Sequence, residues 1–254
     1  VILSHILHSA AVQQTVVLPS LFREKAKVKV PFPYPSLTPV ESDLRSLFAR
    51  RSFVPRQALR NPHPEPPVSD AVRQTAKPSA VLLPIVVGSF GLQLLLTRRH
   101  QNIRFAGHIC FPGGRQDPED LNAVQTALRE TEEEIGLEPD AVEVLGELGH
   151  YFTQTGYEIV PVVGLIQKLP ELAPNPAEVD QIYLVPLNTI FDVSNYQLRR
   201  HESGRGHLSY HHHSGSEHIR VAGPTVSLMV ALYEHQLLDQ NLISQVHELQ
   251  VAQT

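Results

Sequence analysis

The chain has 254 residues, a formal net charge of −5 and 42% hydrophobic content, enough for one good core with extensions or at most two small domains. That charge leaves no electrostatic footprint for nucleic acid, and the single cysteine, Cys110, excludes an internal disulfide framework and a cysteine-rich zinc site. No run approaches the roughly 18 apolar residues of a spanning helix, no basic-then-apolar leader opens the chain, and there is no P-loop, GxSxG elbow or HExxH helix. A cytoplasmic protein without a membrane partner is the expectation. A mitochondrial or other organellar location is the alternative, because Ser, His and a few basic residues surround the first acidic residue, Glu24.

In chain order, residues 1–37 read as an irregular extension closed by Pro31, Pro33 and Pro35. Thr38-Pro39-Val40-Glu41 then combines a capping box with proline at the first helical position, which predicts a helix to about Arg51 within a unit spanning 38–53. Val40, Leu44, Leu47 and Phe48 form its apolar side, and Arg45, Arg50 and Arg51 a solvated basic edge. Residues 54–79, with Pro55, Pro62, Pro64, Pro66, Pro67 and Pro78, read as a linker or a wrapping loop. From Ala80 the pattern becomes strand: 81–87 and 92–97 pair as a hairpin around Gly88-Ser89-Phe90-Gly91. After a helix within 121–137, strands are expected at 142–148, 158–166 and 181–185, then a hairpin around Ser214-Gly215-Ser216 and a last helix over 225–238. The main domain is placed at 80–242 and a tail at 243–254. Two helices around a mixed sheet make an α/β/α sandwich with an N-terminal helical and irregular extension.

The helix over 121–137 ends in Arg129-Glu130-Thr131-Glu132-Glu133-Glu134-Ile135-Gly136 and follows the turn Gly113-Gly114-Arg115-Gln116-Asp117-Pro118-Glu119-Asp120. At about 100° per residue, Val124, Ala127, Leu128, Thr131 and Ile135 form one stripe, and Glu130, Glu133 and Glu134 are expected on the other side. Such a face is electrostatically costly: Glu130 and Glu134 are a like-charged i,i+4 pair, and the glutamates crowd the negative end of the helix dipole. Hard divalent cations prefer oxygen ligands and share their shells with phosphates, so a carboxylate face beside a glycine turn suits phosphate-ester chemistry. The structural alternative is a solvated acidic face with Arg129 paired to Glu133.

The run REx2EExGL behind a Gly-Gly turn resembles the Nudix box, Gx5Ex7REUxEExGU, where U is a bulky apolar residue. Here the spacing is one residue longer, which restores Gly114 and places Asp120 near the first acidic position, and Thr131 replaces an apolar residue. The longer form FPGGxxDxxD…ALRExxEEIGL is similar to the coenzyme A pyrophosphatase branch of that superfamily. So is the upstream run Leu95-Leu96-Thr97-Arg98-Arg99, Ile103-Arg104, Ala106-Gly107, Phe111-Pro112-Gly113-Gly114, although the segment between Arg98 and Gly107 is one residue short and His108 stands where Gln is expected. Gly156 to Gly164, Asn175 to Val179 and Val185-Pro186-Leu187 extend the likeness to approximately residues 78–240.

The resemblance implies a metal-dependent diphosphohydrolase that cuts coenzyme A or its derivatives into adenosine 3′,5′-bisphosphate and (acyl-)4′-phosphopantetheine. ADP-ribose, NADH or another nucleoside diphosphate derivative is the alternative substrate, and a non-catalytic binding or regulatory module the alternative class. Glu130, Glu133 and Glu134 are expected to hold Mg2+ or Mn2+, with a backbone carbonyl of Gly113 or Gly114 as a further oxygen on the substrate side. Arg129 is expected to orient a glutamate. Glu178 is the first candidate for general base and Glu130 the second, whereas Glu158 reads as part of a solvated face. Arg98, Arg99 and Arg104 could grip the additional phosphate of coenzyme A, or form an exposed basic loop. Cys110 reads as a small buried thiol, His211-His212-His213 as a polar edge strand, and His108 as the histidine nearest the turn. A small-molecule nucleoside diphosphate is the expected partner, and the sequence leaves a homodimer open.

Overall fold

The structure is a computed structural model that describes residues 27–28, 39–50, 59, 62, 67–200 and 206–239. Its strands are β1 Lys27–Val28, β2 Lys77–Gly88, β3 Gly91–Arg99, β4 Ile109–Cys110, β5 Gly113–Arg115, β6 Glu143–Glu147, β7 Tyr151–Phe152, β8 Tyr157–Ile166, β9 Val179–Pro186, β10 Tyr196–Arg200, β11 Gly206–Ser214 and β12 Glu217–Ala222. The helices are α1 Glu41–Arg50, α2 Asp70–Gln74, α3 Ala123–Ile135, α4 Leu187–Ile190 and α5 Pro224–Asp239. Helix α1 starts later than the capping box suggests: the Val40 carbonyl accepts from the Asp43 and Leu44 N–H groups, so Pro39 stays outside the helix, and Thr38 lies outside the described residues. Strand β2 begins at Lys77, three positions before the expected change of pattern, and the short helix α2 interrupts the proline-rich segment.

β2 and β3 form the expected hairpin, with Gly88 opposite Gly91. β2 also runs parallel to β8 from Lys77↔Tyr157 to Val86↔Ile166, which makes the eight-stranded sheet mixed. The hairpin does not stay closed. β2 pairs with β3 only at 85–88, and its opposite end, Ser79–Val81, pairs along the same edge with β5. Likewise β3 turns from β2 to β4 at Thr97 and Arg98, while β9 lines its other edge. The two strands splay, and the segment β4–Phe111–Pro112–β5 fills the wedge between them. This wedge delivers the Gly113–Gly114 turn to the sheet, beneath α3.

Side-chain alternation divides the core between the two faces. Ala80, Leu82, Val86, Leu95, Val160, Val162 and Ile166 face α3, meeting Ala127 and Ile135. Leu83, Ile85, Leu94, Leu96, Val163 and Leu165 face the other way, against α5 and the inner side of the four-stranded sheet β1-β10-β11-β12. The α/β/α layering with a mixed sheet is therefore present, with a small second sheet joining the helices on one side. Among the described residues no helix is long and apolar enough to cross a membrane.

Candidate active site

The site is built where α3 crosses β5. Helix α3 is capped at one end by Asn122, whose side-chain oxygen accepts from the Gln125 N–H at 2.9 Å, and at the other by Gly136 in the left-handed region. Below it, the backbone of the turn approaches its neighbours closely, and at Gly113 it requires glycine. A Cβ on Gly113, at φ +143, would collide with the Ala80 carbonyl oxygen and Val81 Cα; one on Gly114 would collide with both carboxylate oxygens of Glu130. Glu130 thus lies directly on the backbone of β5, where any side chain at Gly114 would displace its carboxylate.

Arg129 ties this arrangement together. It donates to Asp120 through Nε (3.0 Å) and Nη2 (2.9 Å), a bidentate pair, and Nη2 also reaches the Arg115 carbonyl (3.1 Å) and Glu130 Oε1 (3.1 Å). Its Nη1 meets Glu133 at 3.2 Å. Asp120 is buried and further accepts from the Asp117 N–H and the Thr126 hydroxyl, both at 3.0 Å. The guanidinium holds the Asp120 carboxyl well below the usual range, with the other hydrogen bonds adding to the effect, and Asp120 in turn raises Arg129. These contacts make Arg129 a clamp between turn and helix. Asp120, at the place where the longer box spacing puts an acidic residue, is the anchor of that clamp.

The three helix glutamates are not equivalent. Glu133 is exposed and turned to Arg129, Glu130 is half-buried, and Glu134 is only 5% exposed. The expectation that all three lie on the side opposite the apolar stripe is corrected for Glu134. Seven residues at about 100° each bring Glu134 to within roughly 20° of Ala127, so the stripe that buries Ala127 takes Glu134 with it. Glu134 accepts one long bond, 3.4 Å, from the Gly113 N–H. Burial pushes its carboxyl up to about 8; Arg99 opposes the rise, and Glu178 and Glu130 reinforce it. Burial raises Glu130 as well, against the pull of Arg129.

Among the described residues no three carboxylate, imidazole or thiol groups are gathered so as to enclose a metal ion. The donor set nevertheless fits a hard divalent cation. Two desolvated, mutually repelling carboxylates face a glycine backbone, and Glu178 acts on Glu134 from a third element. Glu130, Glu134 and the glycine turn form the nucleus of such a site, to which Glu133 could be added only by leaving Arg129.

The remaining expected residues are dispersed. Glu178 lies in the loop before β9, where its Oε1 accepts from Asn175 Nδ2 at 3.3 Å and its carbonyl from the His100 N–H. Glu158 pairs with His150 at 2.5 Å and is part-buried, not freely solvated. Arg98 and Arg99 are strand neighbours and point to opposite faces. Arg98 is held by Tyr183 (3.0 Å) and Glu217 (3.3 Å), whereas Arg99 acts on Glu134 and donates to the Arg104 carbonyl at 3.0 Å. Arg104 lies over the Phe105 ring, 4.7 Å from its centroid, and Phe105 is the one non-glycine residue at positive φ (61°) among those described. His108 packs on the same ring at 5.7 Å. Burial pushes the Cys110 thiol up, and its sulfur meets the Thr97 hydroxyl. The triple-histidine strand is interior to its sheet, between β10 and β12. The expected edge position is thereby corrected: β10, which covers its other side, carries too weak a strand pattern to be read from sequence.

Three residues not singled out by their sequence also border the turn. Arg115 Nη2 donates to the Tyr157 hydroxyl at 2.9 Å and its guanidinium lies over that ring, while Lys77 stands opposite Tyr157 in the β2–β8 pairing. Arg115, foremost, then Arg104 and Lys77 hold the phenol below its ordinary range. Nothing in the sequence links these positions; only the placement of β5 and β8 on either edge of β2 does.

The NUDIX domain model matches residues 77–208. A protein of Photorhabdus laumondii subsp. laumondii named "Uncharacterized Nudix hydrolase NudL" is 41% identical over 160 residues, covering 62% of this chain and 83% of its own. One of the same name from Yersinia pestis is 36% identical over 162 residues, covering 62% and 81%. Among solved structures, a NUDIX hydrolase from Alicyclobacillus acidocaldarius overlaps with TM-score 0.41 and 20% identity, over 63% of this chain and 91% of that one. With a domain match over half its length and relatives at this level of identity, the chain belongs to the Nudix family.

Proposed function

We propose that this Nudix hydrolase cleaves the pyrophosphate bond of coenzyme A or a derivative, yielding adenosine 3′,5′-bisphosphate and (acyl-)4′-phosphopantetheine, with Mg2+ or Mn2+ as cofactor. The observation that carries the hydrolytic reading is the Glu130–Glu134 pair, desolvated against the backbone of the Gly113–Gly114 turn. Such a pair is a liability in an ion-free fold and an asset around a cation.

Glu130 and Glu134, with a carbonyl of Gly113 or Gly114 and a released Glu133, are the groups that would hold the ion. When bound, it supplies positive charge to the diphosphate oxygens as the phosphorus–oxygen bond breaks. Arg129 fixes the Glu130 carboxylate while its own position is fixed by Asp120, so the glutamate need not reorganise as substrate arrives. Glu178 accepts the proton of the attacking water at the carboxylate oxygen that Asn175 leaves open. Arg99, facing Glu134, and Arg104, at the loop tip, supply positive charge for phosphate oxygens. The contacts of Arg98 with Tyr183 and Glu217 direct it away from this group.

The coenzyme A assignment is supported by the upstream run ending in FPGG and by the longer box. Mass spectrometry of products formed from coenzyme A, dephospho-coenzyme A, NADH and ADP-ribose tests it, with Mg2+ or Mn2+ and a Glu134→Gln control. Metal-dependent release of the two named products, lost in the control, is the expected result. Turnover of the other compounds alone would transfer the reading to a different nucleoside diphosphate derivative, and binding without turnover would make the chain a non-catalytic module.

A further inference from the structure

The basic side chains near the glycine turn fall into two groups. Arg98 and Arg129 are neutralised by carboxylates, Glu217 and Asp120 among them. Lys77, Arg104 and Arg115 pair with no carboxylate among the described residues, and two of them, Lys77 and Arg115, come from different segments to one phenol, Tyr157. The convergence is imposed by the sheet. Lys77 and Tyr157 face each other across β2 and β8, and Arg115 is delivered to the opposite edge of β2 by its pairing with Ser79, from where it crosses the strand's end to the Tyr157 hydroxyl. Because that hydroxyl accepts from Arg115, its own proton is available to donate. Among the described residues the two cations pair with no carboxylate, so an ammonium, a guanidinium and a phenol present donors from strands rather than from a loop. Arg115 directly follows the glycine on which Glu130 rests and by alternation leaves β5 on the other face of the sheet, so this corner lies across the strand's end from the hydrolytic centre.

We propose that Lys77, Arg115 and Tyr157 hold a phosphomonoester that the substrate carries outside its scissile diphosphate, an inference that rests on the proposed function for the nature of that substrate. Charge-assisted bonds from a guanidinium and an ammonium to a phosphate dianion are the strong kind, and losing them should cost about tenfold or more in affinity.

The test is isothermal titration of the full chain in EDTA with adenosine 3′,5′-bisphosphate, adenosine 5′-monophosphate and inorganic phosphate, using the parent, Arg115→Lys, and a Lys77→Gln/Arg115→Gln double variant whose thermal unfolding confirms its fold. The parent should bind the bisphosphate at least about tenfold tighter than the monophosphate, the double variant should lose that preference, and Arg115→Lys should keep part of it. No preference in the parent, or a preference untouched in the double variant, overturns the inference. So does inorganic phosphate bound as tightly as the bisphosphate with the same dependence on Arg115, which would mark a free-phosphate site. Coenzyme A turnover, measured separately, keeps the two readings apart. An Arg115-dependent preference without turnover sinks the substrate assignment and leaves the subsite, whereas turnover with an indifferent Arg115 does the reverse.

Discussion

Replacing Glu134 by Gln should stabilise the ion-free protein at alkaline pH and abolish its response to divalent cations. The folded carboxyl titrates at about 8 because it is buried, against about 4.3 in an unfolded chain. Its folded value is raised, so the stability linked to it is fully present below pH ~4.3 and is lost progressively as pH rises to about 8. At about 1.4 kcal/mol per unit, the whole loss has a ceiling of about 5 kcal/mol. Glutamine carries no such slope. It retains an oxygen for the Gly113 N–H but leaves amide protons without a partner, at about 1–3 kcal/mol. The variant should thus be level with the parent or about 1 kcal/mol less stable at pH 5, and about 2 kcal/mol more stable at pH 8.5. Urea unfolding in EDTA at those two pH values measures the difference. Repeating it with Mn2+ at roughly 100 times its dissociation constant should add about 2.7 kcal/mol to the parent and much less to the variant. A difference between variant and parent that is the same at both pH values would refute the reasoning, since the slope is its only source.

Gly114→Ala should place its methyl group against the Glu130 carboxylate, costing about 1–3 kcal/mol of stability but at least roughly 100-fold in kcat, a disproportion visible by comparing unfolding with steady-state rates. Asp120→Asn should cost about 2 kcal/mol at pH 7, and because the folded Asp120 titrates below its unfolded value, the gap should narrow as pH falls below about 4 in urea titrations. Phe105→Val should lose about 1 kcal/mol of stability in the same assay, because a β-branched residue is poorly suited to φ 61°, while Phe105→Gly should stay within roughly 0.5 kcal/mol of the parent.

What the sequence makes legible here are the local patterns, and the rest depends on pairings between distant segments. The β2–β3 hairpin, β8 and α3 follow from alternation, glycine turns and a capped amphipathic run. Strands β4 and β5 do not, because they exist only where the splayed hairpin leaves unpaired backbone for them to satisfy. Two features of the site follow from the same periodicities. A helical angle carried through to Glu134 places it beside Ala127, so its burial and raised carboxyl were available from the 3.6-residue period. The two-residue period of a strand likewise turns Arg98 and Arg99 to opposite faces, and the structure sends one to Glu217 and the other toward Glu134. The convergence of Lys77, Arg115 and Tyr157 is of another kind. Each is an ordinary surface residue in its own segment, and they meet because β2 has a parallel neighbour on one edge and an antiparallel one on the other. Residues whose chemistry is local in sequence, such as the Arg129–Glu134 run, announce the reaction class. On the proposed reading, residues assembled by sheet topology choose among phosphates, and that is why reaction class is easier to read from this chain than substrate.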